Sequence, residues 1–193
     1  MNKLLPTVVT LLVIAEILLA LISWLMSAMM SGSTQSLLSS EGIRWFLGDF
    51  NTILLSPVLV WILLLSMSFG CLYRSHILTV AKSYQERVGR RGAILVLFVY
   101  VMILISLTAM PHAILLSATG RLFPSPFSNA FVPLLAFGIL MMSVVYGFLA
   151  RTFTSLSAVC EAMCFGIIKG SPLLVVYVFL AQFIESLRFV FLL

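Results

Sequence analysis

Four polar residues that could bind an ion or a solute lie inside long apolar stretches of this 193-residue chain: Glu16, Gln182, Glu185 and Arg188. An ionisable side chain within a lipid bilayer costs several kcal/mol, so each one needs an explanation. Glu16 lies near the middle of the first stretch. It is either a carboxyl that couples transport to a proton or cation, or a carboxyl that hydrogen-bonds to a neighbouring helix.

The other three polar residues lie in the last apolar stretch. Glu185 and Arg188 are three residues apart, so on a helix they share a face and can form an ion pair. One interpretation is a self-paired couple that makes membrane insertion tolerable near the outer face. The other is a substrate contact made by Gln182 or Arg188.

The residue types that usually build metal and enzyme sites give weaker patterns. Cys160 and Cys164 lie four apart in a predicted loop without a second pair or a nearby histidine, which is a poor zinc site. They and Cys71 are predicted to be reduced thiols, and His112 a hydrogen-bonded anchor near the outer interface. The sequence has no phosphate-binding glycine loop and no Gly-x-Ser-x-Gly elbow. It therefore predicts no metal, no cofactor and no enzyme activity.

Five apolar stretches must position these residues. They run over about residues 4–30, 52–73, 92–116, 129–150 and 171–193. Each can cross a hydrocarbon core of ~30 Å as a helix rising ~1.5 Å per residue. A backbone in lipid must satisfy its own hydrogen bonds, so helices are required. The sequence predicts an all-α, polytopic integral membrane protein with five transmembrane helices in a single domain over residues 1–193. The composition agrees, with 62% hydrophobic residues and 9% charged residues.

The distribution of basic residues predicts an orientation in the membrane. The loop over residues 74–91 holds five basic residues against one acidic residue, whereas the two loops on the opposite side hold only Arg44 and Arg121. The remaining basic residues on the richer side are Lys3, Arg151 and Lys169. By the positive-inside rule, the N-terminus lies inside and the C-terminus outside. No basic stripe is interleaved with aromatic residues, so nucleic-acid binding is not expected.

Local motifs add two expectations about packing. A short interfacial helix is predicted over residues 42–50, capped by Ser39 or Ser40 and anchored at the headgroups by its aromatic residues. Gly166 and Gly170 have the glycine-x-x-x-glycine spacing of closely packed membrane helices. They fall at the edge of a predicted loop, so this motif is expected to be weak.

Several short sequence segments follow one another along the chain in an order that is fairly specific as a set. They are Leu5-Pro6, residues 37–45, residues 51–57, residues 120–127 followed by Val132-Pro133-Leu134, Val145-Tyr146-Gly147, and residues 179–184. Together they touch four of the five apolar stretches. In this order they resemble the AbgT family of p-aminobenzoyl-glutamate transporters.

The resemblance implies a bacterial inner-membrane transport protein in contact with the lipid bilayer. It further implies p-aminobenzoyl-glutamate or a related folate-type anion as the substrate, a homodimer, and coupling to an ion gradient. No binding residue is carried over from the family.

The chain also departs from the family pattern. A full-length member would hold re-entrant hairpins between Arg74 and Glu86, and an Asn/Ser/Gly-rich stretch after Gln182; neither is present in this sequence. We therefore expect a truncated homologue that does not transport alone. The alternative is a non-transporting membrane scaffold, or one part of a split transporter completed by a partner membrane chain.

Overall fold

The computed structural model describes residues 4–29, 35–79, 83–109 and 126–191, and it is helical with short turns within these ranges. The helices are α1 Leu4–Met29, α2 Ser40–Gly48, α3 Phe50–Leu54, α4 Pro57–Ser75, α5 Tyr84–Ala109, α6 Pro126–Leu149 and α7 Leu156–Phe191. Five of them, α1 and α4 to α7, are long and apolar enough to cross a membrane. The predicted all-α membrane fold with five transmembrane helices is confirmed, while the orientation of the termini stays a prediction.

Two transmembrane helices begin earlier than the apolar stretches indicate. Helix α5 begins at Tyr84 rather than near residue 92, because the backbone N–H of Ser83 donates to Glu86 Oε2 at 3.2 Å and caps its first turn. Helix α7 begins at Leu156 rather than near residue 171, and its 36 residues reach ~54 Å, well beyond a ~30 Å core. The loop predicted over residues 151–170 is therefore largely helix, and its assignment as a loop was wrong.

Prolines mark two further corrections. Residues 50–54 form the separate helix α3, and α4 begins at Pro57, because proline fits the first turn of a helix, where no backbone N–H is needed. The two prolines within residues 123–127 predict a rigid extended turn that leads into the fourth apolar stretch. Pro126 instead opens α6, so the last two of these residues are helical. His112 and the first part of that turn lie outside the described residues.

The contacts divide the chain into two compact units, of which the first contains residues 1–60 and 171–193. Its core is formed by Leu19, Leu37 and Val190. The predicted interfacial helix is α2, with Ser39 as its N-cap accepting from the N–H of Gly42 at 3.0 Å. The ring of Trp45 stacks on Phe189 of α7 with centroids 4.5 Å apart, so α2 is held to α7.

The second unit, residues 61–170, is built on a close contact between α4 and the first half of α7. A Cβ atom added to Gly70 would lie 2.5 Å from Cα of Gly166, and one added to Gly170 would collide with Oγ of Ser66. The two backbones thus touch, as in small-residue packing of membrane helices. The expectation that Gly166 and Gly170 form only a weak motif was wrong, because both lie on a helix.

Helices α5 and α6 complete the second unit. The Tyr100 hydroxyl donates to the carbonyl of Leu134 at 2.8 Å, and its ring covers Gly138, where a Cβ would be only 2.8 Å away. Helix α4 is tied to α6 by Ser68, whose hydroxyl lies 2.7 Å from the carbonyl oxygen of Ala136. These contacts hold the helices together through glycines and hydroxyls, beside a small apolar core of Cys71, Phe153, Val159 and Ala162.

Candidate functional site

Glu16 of α1 meets Ser186 of α7 in the first unit. The Ser186 hydroxyl donates to Glu16 Oε1 at 2.5 Å, and the Ser186 side chain is fully buried. This is the hydrogen bond to a neighbouring helix that one of the two interpretations of Glu16 required. The other carboxyl oxygen, Oε2, is buried without a hydrogen-bond partner in the described structure. Oε2 therefore has acceptor capacity that the described protein atoms do not use.

Gln182 lies one helical turn before Ser186 on the same face of α7. Its side chain is 6% exposed, and neither Oε1 nor Nε2 has a hydrogen-bond partner among the described residues. A buried amide without partners is costly, because it loses its bonds to water and gains none in return. We call Glu16, Gln182 and Ser186 the α1–α7 polar cluster.

The α1–α7 polar cluster offers both acceptors and a donor. Glu16 Oε2 and Gln182 Oε1 accept, and Gln182 Nε2 donates. Carboxylate and amide oxygens with unused capacity are suited to a water molecule, a proton carried on the carboxyl, or a small cation. An ion-binding role of Glu16 and Gln182 stays a prediction.

Glu185 and Arg188 lie on a more exposed side of α7 than Gln182 and Ser186. Arg188 Nη1 lies 2.8 Å from Glu185 Oε1, so the ion pair expected from their spacing is present. The Arg188 side chain is 60% exposed, whereas Gln182 and Ser186 on the same helix are buried. The structure brings Glu16 and Gln182 to the buried side of α7 and leaves the Glu185–Arg188 pair on a more exposed side.

Other candidate sites carry less chemistry. A shallow apolar depression runs along α5, lined by Phe98, Val99, Met102, Ile103, Ser106 and Leu107. All six residues belong to one helix, so the depression is a shallow groove on the surface of α5 and not a pocket between helices. Within the described ranges, no three histidine, cysteine or acidic residues lie close enough to hold a metal ion. Cys71 is buried, while Cys160 and Cys164 are exposed on α7.

Sequence reasoning missed Ser186 as a partner of Glu16. The available signal was its spacing of four residues from Gln182, which places both on one helix face. A serine in an apolar helix is unremarkable by itself, and no pattern in the sequence pairs α1 with α7. That pairing depends on tertiary packing.

A comparison with family models matches residues 73–190 to the AbgT putative transporter family. The chain belongs to the AbgT transporter family. The match covers more than half of the chain and includes Gln182, Ser186 and the sequence segments from residue 120 onward; Glu16 and the earlier segments precede it. No curated protein and no solved structure matches the chain. Family membership makes this a transporter-like membrane protein and points away from an enzyme.

Proposed function

We propose that this AbgT-family chain is a bacterial inner-membrane component of a transport system for p-aminobenzoyl-glutamate or a related anion, and that it does not complete the transport path alone. The family match and the five apolar helices support the membrane transport role. The substrate class follows from the family resemblance. The need for another chain rests on the polarity of the described helices.

The buried polar residues of the described chain are poorly suited to carry a hydrated anion. They are serines and Gln182, and none is positively charged. Four of the serine hydroxyls bond to carbonyl groups of their own helices: Ser23 to Ala20, Ser68 to Leu64, Ser75 to Leu72 and Ser143 to Ile139. A transport path must replace the hydration of the solute with polar groups at mid-membrane. Here most of those groups are used in packing.

The outer surfaces of α1 and α5 leave room for a second chain. In the most apolar 18 residues of α1 only 11% are buried, and in those of α5 only 6% are buried. Such surfaces contact either lipid or another membrane protein. A second copy of this chain or a partner membrane chain would cover part of them and could supply the missing polar groups. The α1–α7 polar cluster, with Glu16 and Gln182, would be this chain's contribution to ion binding.

A second candidate function is a membrane scaffold without transport activity. The close contact of Gly70 with Gly166, and the hydroxyl bond of Ser68 to Ala136, favour it, because they use small and polar residues of the described helices for packing. The two candidates differ in whether p-aminobenzoyl-glutamate movement depends on the chain.

Reconstitution tests whether the chain transports alone. Purified, monodisperse protein is placed in proteoliposomes, its helicity is checked by circular dichroism, and entry of labelled p-aminobenzoyl-glutamate is followed. We expect no flux above empty liposomes. Saturable counterflow that is lost in Gln182→Ala or Glu16→Ala would contradict the proposal that another chain is needed.

A cellular measurement tests the transport role itself. Accumulation of labelled p-aminobenzoyl-glutamate is compared in the native host with the gene present, deleted and restored. A change on deletion that is reversed on restoration supports a transport component. Equal accumulation in all three strains would favour the scaffold.

A further inference from the structure

Two basic residues from different helices converge on one aromatic ring in the second unit. The guanidinium carbon of Arg74, in the last turn of α4, lies 4.8 Å from the ring centroid of Phe165 on α7. The ammonium nitrogen of Lys169 lies 5.7 Å from the same centroid. The ring of Tyr73 stacks on Phe165 with centroids 5.7 Å apart. We call these four residues the basic–aromatic cluster.

The charges of the basic–aromatic cluster are not neutralised within the described chain. Among the described residues, neither Arg74 nor Lys169 has a carboxylate within ion-pair distance. The ion pair found among these residues joins Glu185 and Arg188. Both side chains are exposed. A ring attracts cations through its face but carries no net charge. Two positive charges beside one ring create a positive potential, which an anion would lower.

The position of Arg74 along α4 places the cluster at the depth of the lipid headgroups. Arg74 lies 17 positions after Pro57, the first residue of α4. That distance corresponds to ~26 Å of helix, close to the thickness of the hydrocarbon core. Tyrosine together with basic residues is typical of the membrane–water interface.

We propose that the basic–aromatic cluster binds the phosphate of an anionic phospholipid, with Arg74 and Lys169 contacting the phosphate oxygens. An exposed apolar side chain continues from the cluster along α4 toward the hydrocarbon core: Phe69, five residues before Arg74, is 53% exposed. Phe69 offers an acyl chain a surface that a free phosphate ion would not use. Basic pockets between membrane helices are a known form of anionic-lipid recognition. The site shares no residue with the α1–α7 polar cluster, and the proposal does not depend on transport.

Native mass spectrometry of the detergent-solubilised full chain, titrated with phosphatidylglycerol, tests the site. One positive charge near a membrane surface contributes about 1 kcal/mol, so Arg74→Gln and Lys169→Gln should each weaken binding about fivefold, and the double variant about 25-fold. Lys169→Arg keeps the charge and should bind as the unmodified chain does. Arg91→Gln removes one charge from an exposed residue of α5 and should leave binding unchanged.

Three outcomes would overturn the proposal. Equal affinity for phosphatidylglycerol and phosphatidylcholine would show that the site does not recognise anionic lipid. Equal weakening by Arg91→Gln and Arg74→Gln would show that net charge alone matters. Displacement of phosphatidylglycerol by millimolar inorganic phosphate would assign the cluster to free anions. The two single variants change exposed side chains on different helices, and circular dichroism verifies that each is folded.

Discussion

Gly70 of α4 and Gly166 of α7 lie so close that a methyl group on either residue would meet the backbone of the other. A Cβ on Gly166 would come within 2.8 Å of Cα of Gly70, and still closer to the carbonyl oxygen of Ser66. The obstacle is backbone, which cannot move aside as a flexible side chain can. In lipid, van der Waals packing replaces the hydrophobic effect as the force between helices. This contact is therefore central to the stability of the second unit.

Substituting the glycine at this contact should destabilise the protein. We expect Gly166→Ala to lower the free energy of unfolding by about 1–3 kcal/mol, because α4 and α7 must separate to admit the methyl group. Gly48→Ala is the matched control, since no atom lies within 4 Å of its added Cβ. The measurement is the midpoint of unfolding in detergent micelles, followed by circular dichroism. Equal midpoints for the two variants would show that the helices are not in close contact.

The five transmembrane helices could be predicted from sequence because about 20 consecutive apolar residues leave the backbone no alternative in lipid. The first part of α7 could not, because Glu161 and Lys169 lower its hydropathy while leaving its helix propensity intact. The packing role of Gly166 depends on Gly70, which is nearly a hundred residues away in the chain. The spacing of Glu185 and Arg188, in contrast, was sufficient to predict their ion pair.

The hydrogen bond between Glu16 and Ser186 should couple α1 to α7. In membrane proteins such bonds average about 0.6 kcal/mol and reach about 1.7 kcal/mol. We expect a double-mutant cycle of Glu16→Ala and Ser186→Ala to give a coupling energy in this range, measured from unfolding midpoints. Ser157→Ala, at an exposed position of α7, is the matched control and should show no coupling with Glu16→Ala. Additive effects at Ser186 would argue against the bond.

Removing the charge at Glu16 without removing its hydrogen bond separates two roles. The Ser186 hydroxyl can donate to an amide oxygen as it does to a carboxyl, so Glu16→Gln should keep the stability of the unmodified protein within about 0.5 kcal/mol. If the chain forms part of an ion-coupled transport system, the same variant should reduce accumulation of p-aminobenzoyl-glutamate in cells. Unchanged stability together with unchanged accumulation would leave Glu16 with a structural role alone.

The unpartnered amide of Gln182 should lower stability. We expect Gln182→Leu to raise the unfolding midpoint, by about 1 kcal/mol or more in free energy, because it removes two buried polar atoms without hydrogen bonds and keeps most of the volume. Gln85→Leu, at an exposed position near the start of α5, is the control and should have a small effect. A decrease for Gln182→Leu would instead reveal a polar occupant, such as water or a cation, in the α1–α7 polar cluster.

The three cysteines report on both packing and orientation. Cys71 is fully buried in the core with Phe153 and Val159, whereas Cys160 and Cys164 are exposed near the start of α7. A maleimide should therefore label two thiols in the folded protein and three after denaturation.

If the basic loops face the cytoplasm, an impermeant maleimide added to sealed right-side-out vesicles should label neither exposed thiol until the vesicles are opened. Cys160→Ser and Cys164→Ser assign the labels individually. Labelling of sealed vesicles would reverse the predicted orientation, and three labels in the folded protein would contradict the packing of α4 on α7.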